Sequence, residues 1–363
     1  MTAFYAGYVA SNFLTGPIVD GIGPRKTLAA ASLFTGLFTI LIPFTTDYTI
    51  IALLRVGAGI ASGPLFAGMI KFQLAWFTKK VRATAMGFMF SGVVVGDMIA
   101  AGVFAPIIQS KGWQTAFTYA GAVTLIYAAV FYIFAKERGL AKTDRVKKEV
   151  DRDKKGIPNA GLLTVVRQRS YVIGTLVCFL NMGAFQGFTT FLLLYLTRVH
   201  ALSLAAAGTL YAGTTSVGLV SGILAGIISD FIGSRKKACY LGAAGAALVT
   251  IALLYTTNVT MLVVVLVLRR LIGSLFGIPL NTLQAETAAG PYAGRAMGIY
   301  NGTAQLGSVV FPLAVGFILD ITSNNFFYVF STVAMIHTIC GLLVILMKET
   351  AEGRSGKTGV ATV

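Results

Sequence analysis

The strongest constraint on this chain is a succession of apolar runs, each close to 20 residues long and separated by short polar gaps. A helix needs about 20 mostly apolar residues to cross a bilayer. Such runs fall at roughly 2–22, 27–45, 49–75, 84–109, 114–135, 171–197, 204–229, 238–256, 259–284, 296–320 and 326–347. The expectation is an all-α, polytopic membrane protein with eleven spanning helices. Composition excludes the alternatives. Of 363 residues 56% are hydrophobic and 12% charged, more apolar surface than a soluble fold of this size can hide. The one long polar stretch divides five spans from six. It predicts an N-terminal bundle over 1–137, a linker over 138–170, a C-terminal bundle over 171–348 and a tail over 349–363.

The formal charge of +16 would suit a nucleic-acid binder only if the basic residues shared one face with interleaved aromatics. Here they sit in the gaps. With the gap holding Arg25 and Lys26 placed in the cytoplasm, 23 of the 29 Lys and Arg residues fall in cytoplasmic gaps and tails. Two, Lys111 and Arg198, fall outside. That asymmetry is the positive-inside signal, and it places the C-terminus in the cytoplasm of a cell inner (plasma) membrane. Cys178, Cys239 and Cys340 all lie inside apolar runs, offering neither a disulfide framework nor a metal cluster. His200 and His337 are isolated, so no metal and no cofactor is expected. Ser355-Gly356-Lys357-Thr358 imitates the end of a phosphate-binding loop, but Ala351 stands where the first glycine is required.

A repeat divides the chain. Gly16-x-x-x-Asp20-x-x-Gly23-x-Arg25-Lys26 returns 210 residues later as Gly226-x-x-x-Asp230-x-x-Gly233-x-Arg235-Lys236. Arg55, Gly59 and Gly63 return as Arg269, Gly273 and Gly277, and Met86-Gly87 and Gly96 as Met297-Gly298 and Gly307. Matching order at nearly constant spacing implies duplicated halves in parallel orientation, a known transporter architecture. On these motifs the chain resembles the major facilitator superfamily over essentially its whole length. Gly21 and Phe231 stand where that family's element is usually basic. The resemblance implies two pseudo-symmetric helical bundles rocking around a midplane site. It also implies that each Gly-x-x-x-Asp-x-x-Gly-x-Arg-Lys element acts as a latch on the cytoplasmic side; alternatively its basic residues only set topology. The run at 171–197 has no counterpart in the first half, so the family's first helix is expected to be missing, twelve being the full number.

Charges inside spans are costly and therefore functional by default. Arg55 lies about 12 Å and Arg269 about 16 Å below the external surface at 1.5 Å per residue. One arginine in matching spans suggests a pair of cationic groups on a central cavity, suited to carboxylate or phosphate. The alternative is that each satisfies helix carbonyls or a buried acid. Arg270 and Lys71 are weaker candidates, Lys71 being near enough to the cytoplasm to snorkel. Asp97 is the one acid well inside a span, about 22 Å from the cytoplasmic end. It reads as a proton-coupling group or as the static partner of Arg55. Asn181, Gln186, Asn301 and Gln305 are candidate substrate contacts whose ordinary use is interhelical hydrogen bonding. Phe185, Phe188 and Tyr195 read as packing.

These features lead to a secondary active carrier of a small organic anion, proton- or ion-coupled and monomeric, with the lipid bilayer and that solute as its partners. The segments around Phe4–Tyr8, Arg55 and Trp76–Ala83 look similar to the superfamily's anion:cation symporters and sugar-phosphate permeases. Ser62, however, stands where those symporters often carry glutamate. A carrier of a neutral or hydrophobic solute of the efflux type is the alternative, although Asp97 replaces the proline of the drug-efflux pattern. A non-transporting sensor lacks an output domain, and an enzyme lacks paired catalytic groups outside the bilayer.

Overall fold

The computed structural model describes residues 2–14, 16–136, 162–290 and 292–349. Most of the expected linker, up to residue 161, and the tail from 350 onward lie outside the described residues. Everything described is helix or short connection, with no strand among the described residues. Helices follow in order: α1 Thr2–Leu14, α2 Gly16–Ile22, α3 Pro24–Leu41, α4 Tyr48–Trp76, α5 Arg82–Ile99, α6 Ala105–Phe134, α7 Leu162–Val166 and α8 Arg169–Arg198. Then come α9 Leu204–Ser216, α10 Gly218–Ile232, α11 Arg235–Leu253, α12 Val259–Thr287, α13 Ala293–Ile321 and α14 Phe326–Ile345. In lipid each backbone polar group must be satisfied inside its own segment, which is why long apolar runs become helices.

Nine helices among the described residues are long and apolar enough to cross a membrane. Of the eleven runs, those at 2–22 and 84–109 are outside that set. The first divides into α1 and α2; the second passes from α5 through a π-helical turn at Ala100–Phe104 into α6. Gly112, with φ of 82°, breaks α6 in the polar gap between the runs at 84–109 and 114–135. Polar side chains set several starts. Asp47 accepts from the backbone N–H of Thr49 and Ile50 at α4, Ser203 from Ala206 at α9, Ser234 from Lys237 at α11, and Asn325 from Phe327 at α14. Each fills N–H groups that a helix start leaves open.

The repeat is visible in the packing. α4 packs on α1 and α3, and α3 on α6; α12 packs on α10 and α11, and α11 on α14. The chain forms two compact units, and these differ from the 1–137 and 171–348 halves by an exchange. One unit comprises Met1–Phe77, Ile99–Tyr171 and Ala288–Gly302; the other comprises Thr78–Met98, Val172–Thr287 and Thr303–Val363. The beginning of α5 therefore groups with α10, and the beginning of α13 with α1 and α2.

Glycines make both groupings possible. A Cβ on Gly87 would run into the backbone carbonyl of Gly222, and one on Gly226 would lie 2.7 Å from the Cα of Thr84. In the other unit a Cβ on Gly298 would press on the Asn12 carbonyl, and one on Gly16 would strike the backbone of Arg295. Such approach is what small residues give to membrane helices. Replacing Gly87 with Val is expected to cost about 1–3 kcal/mol by overpacking. Gly21→Val, at a position with nothing within 4 Å, should leave stability nearly unchanged. Thermal unfolding of the detergent-solubilised variants checks the contrast.

Candidate functional site

The two repeated elements build the same device twice. In the first copy, the Asp20 carboxylate accepts the backbone N–H of Gly294 at 2.8 Å and of Arg295 at 3.0 Å. These are the second and third residues of α13, so Asp20 does from another helix what an N-cap residue does locally. Lys71 of α4 is 6% exposed and donates to Asp20 at 2.8 Å and to the Val19 carbonyl at 3.2 Å. It is thus a partner of Asp20 and does not reach out to water as the sequence suggested. Arg25 turns elsewhere, donating to the Tyr132 carbonyl and lying 4.9 Å from that ring. Lys26 is exposed.

In the second copy, Asp230 accepts the backbone N–H of Thr84 at 2.9 Å and its hydroxyl at 2.6 Å, at the third residue of α5. Arg235 pairs with Asp230 at 2.6 Å and reaches Glu286 at 4.0 Å; Arg82 meets Glu286 at 3.4 Å. Lys236 contributes its backbone N–H to Glu349 at 3.5 Å. The glycines of the element have separate tasks. Gly16 and Gly226 allow the close helix approach described above, whereas Gly23 and Gly233 take φ of 93° and 67°, which other residues adopt only with strain.

Among the intramembrane arginines, Arg55 lies 4.5 Å from the Phe117 ring, Arg269 3.8 Å from Phe188, and Arg270 5.6 Å from Phe185. Phe185 and Phe188 are therefore platforms for cations as well as packing groups. Arg269 is 8% exposed, and the Nε atoms of Arg269 and Arg270 are buried without an acceptor. No acid forms an ion pair with any of the three among the described residues. Asp97 is exposed and makes no ion pair there either; the arginine on which its charge acts is Arg270.

Of the amide candidates, Asn301 is occupied. It is buried, and its amide donates to the Tyr8 hydroxyl and the Asn12 side-chain oxygen, both at 2.9 Å. Asn301 shares a compact unit with Arg55. Asn181, Gln186 and Gln305 share the other with Arg269, Arg270 and Asp97, and all three are half-buried.

A profile of the Major Facilitator Superfamily matches residues 1–288 and again 175–362. The chain belongs to the major facilitator superfamily. It is a membrane transporter, not an enzyme. The "Probable sulfoacetate transporter SauU" of Cupriavidus necator is 26% identical over 337 residues, covering 89% of this chain and 78% of that protein. The "Probable galactarate/D-glucarate transporter GudP" of Bacillus subtilis is 24% identical over 89% of this chain and 77% of its own length. A crystal structure of the Escherichia coli fucose:proton symporter FucP superposes with a TM-score of 0.77 at 14% identity, covering 96% of this chain and 90% of that one. The xylose symporter XylE gives 0.73 at 15%, covering 96% and 85%. At that identity the two solved structures establish the superfamily fold alone.

Within this superfamily member, sequence reasoning overlooked Glu286, Lys71 and Thr84 as partners of the repeated elements. Glu286 carried a usable signal: it is one of only 13 acids, placed at a helix end beside two arginine-bearing gaps. Lys71 and Thr84 carried none, because their partners are 51 and 146 residues away. Asp20→Asn should cost about 3–5 kcal/mol by leaving a buried ammonium without its counter-charge. Adding Lys71→Met should restore at least half of that loss. Thermal unfolding of both single variants and the double gives the coupling; a double variant no more stable than Asp20→Asn would show that the pair is not linked.

Proposed function

We propose that this protein is a secondary active carrier of a small organic anion, a carboxylate or phosphate ester, driven by a proton or another ion through alternating access. The observation that carries the reading is the set of three arginines inside spanning helices, stacked on Phe117, Phe188 and Phe185 with no acid paired to them among the described residues. A guanidinium held in the bilayer without a carboxylate is costly, and an anionic solute supplies the missing charge bidentately. Relatives named for transport of sulfoacetate, galactarate, D-glucarate and hexuronate support the same class. Arg55 and Arg269 are the substrate-contact candidates with Asn181, Gln186 and Gln305; Asn301, already engaged by Tyr8 and Asn12, serves helix contact. Asp97 is the coupling group.

The repeated elements are the gating parts. Asp20 holds the start of α13 and Asp230 the start of α5, each joining segments far apart in sequence, and release of both would free α5 and α13. The carrier works as a monomer of eleven spans in the cell inner membrane, α1–α2 and α5 with its π turn completing the count, and with its C-terminus in the cytoplasm.

Counterflow in proteoliposomes tests the reading, using labelled sulfoacetate, galactarate and D-glucarate beside a neutral hexose, with and without a pH gradient. Saturable exchange of an acid and its accumulation under an inward proton gradient are expected. Exchange of the hexose alone would assign a neutral solute, and binding without flux would assign a sensor. Arg55→Gln should slow acid exchange by about 10–100-fold, the worth of a hydrogen bond to a charged group at about 1.5–3 kcal/mol.

A further inference from the structure

Arg270 is the least occupied of the intramembrane cations. Its guanidinium has no hydrogen-bond or ion-pair partner among the described residues, and its buried Nε faces no acceptor. The packing of α5 along α10 fixes what lies opposite. Gly87 meets the Gly222 carbonyl, and one turn on the Ser91 hydroxyl donates to the Leu219 carbonyl at 2.8 Å. A further turn on, Val94 and Arg270 flank Gly218, where a Cβ would lie 2.9 Å from Val94 Cγ2 and 2.9 Å from Arg270 Nη2. The two helices run antiparallel, so the next turn of α5, carrying Asp97, falls beside the end of α9. There the helix is interrupted at Val217, between Ser216 and Gly218. Asp97 is itself followed by the π turn at Ala100–Phe104. Interrupted helices at membrane depth mark binding sites in transporters, and π turns recur at functional sites.

We propose that Arg270 and Asp97 form one exchange site for a carboxylate and a proton. Resting on the carrier reading above, this deepens it by naming the residue pair that couples the two. In the empty protein Asp97 supplies the counter-charge for Arg270. An arriving carboxylate takes the guanidinium fork, and Asp97, left without its cation, takes a proton from water at its exposed side. The local charge balances: the guanidinium and the Asp97 carboxylate sum to zero before, as do the guanidinium, the neutral acid and the bound carboxylate after. The substrate's carboxylate and the proton therefore enter and leave together. The surrounding groups leave this exchange to the pair. From α9 Tyr211 acts on Arg270; α10 offers the Ser221 hydroxyl, engaged with Ser274 at 2.8 Å; α8 offers the Phe185 ring. Arg269 is turned to Phe188, with His337 of α14 in its field.

Exchange in proteoliposomes between pH 5 and 9 tests the pair, with whichever of sulfoacetate, galactarate or D-glucarate the wild-type protein exchanges fastest. The half-saturating concentration of wild type should rise about tenfold per pH unit once Asp97 is ionised, as linkage to one proton requires. Asp97→Asn should flatten that profile, lower the half-saturating concentration at pH 8 by about tenfold, and abolish accumulation under a pH gradient. Arg270→Lys, which loses the fork but keeps the charge, should raise the half-saturating concentration at least tenfold and weaken the pH slope. A wild-type pH slope in Asp97→Asn overturns the proposal. So does Arg270→Lys with wild-type half-saturation and slope. Should Arg270→Lys fail to assemble, the Asp97→Asn profile decides alone. Absence of exchange of all three acids by wild type would instead remove the organic-anion reading, and this site with it.

Discussion

Two carboxylates seated on the starts of distant helices organise this fold. A helix start exposes backbone N–H groups and a partial positive charge, and Asp20 and Asp230 bring a full negative charge to such starts from elsewhere in the chain. Because the bonds are to backbone, they position α13 and α5 along their axes whatever side chains those helices carry. The glycine approaches at Gly16, Gly87, Gly226 and Gly298 depend on that register. A shift of one residue would place a Cβ against a carbonyl.

The two copies are alike in geometry and unlike in charge. Around Asp230, Arg235, Glu286 and Arg82 alternate in sign, so the carboxylate belongs to a chain of ion pairs. Around Asp20 a single lysine, Lys71, supplies the cation from α4, and Arg25 is turned to Tyr132. Phe72 stands where the offset of the repeat would place the counterpart of Glu286. The first element is therefore held by one buried pair and the second by a network. Buried pairs broken on one side are costly, while a network redistributes its remaining charges.

Much of this was legible from spacing alone. Runs of apolar residues announced the helices, because lipid admits no other economy of backbone hydrogen bonds for an unpaired segment. Asp20 and Asp230 were legible as a pair, since the pattern around them recurs intact. The partners were not. Lys71 read as a side chain able to reach water, yet its ammonium is closed in by Asp20 and Val19. Phe185 and Phe188 read as packing, yet they carry the faces on which Arg270 and Arg269 rest. Asn301 read as a ligand candidate, and its donors are spent on Tyr8 and Asn12.

What the sequence determined by itself was everything with a short period or an exact repeat: the class of fold, the spans, the duplicated element and the depth of each charge along its own helix. Rise per residue turns a position into a depth, so depth needs no neighbour. Direction around the helix axis is different. It decides whether Arg270 meets Asp97, whether Lys71 meets water or Asp20, and which helix start a carboxylate caps. Those contacts join residues 50 to 275 positions apart, and only the packed helices bring such residues to one place.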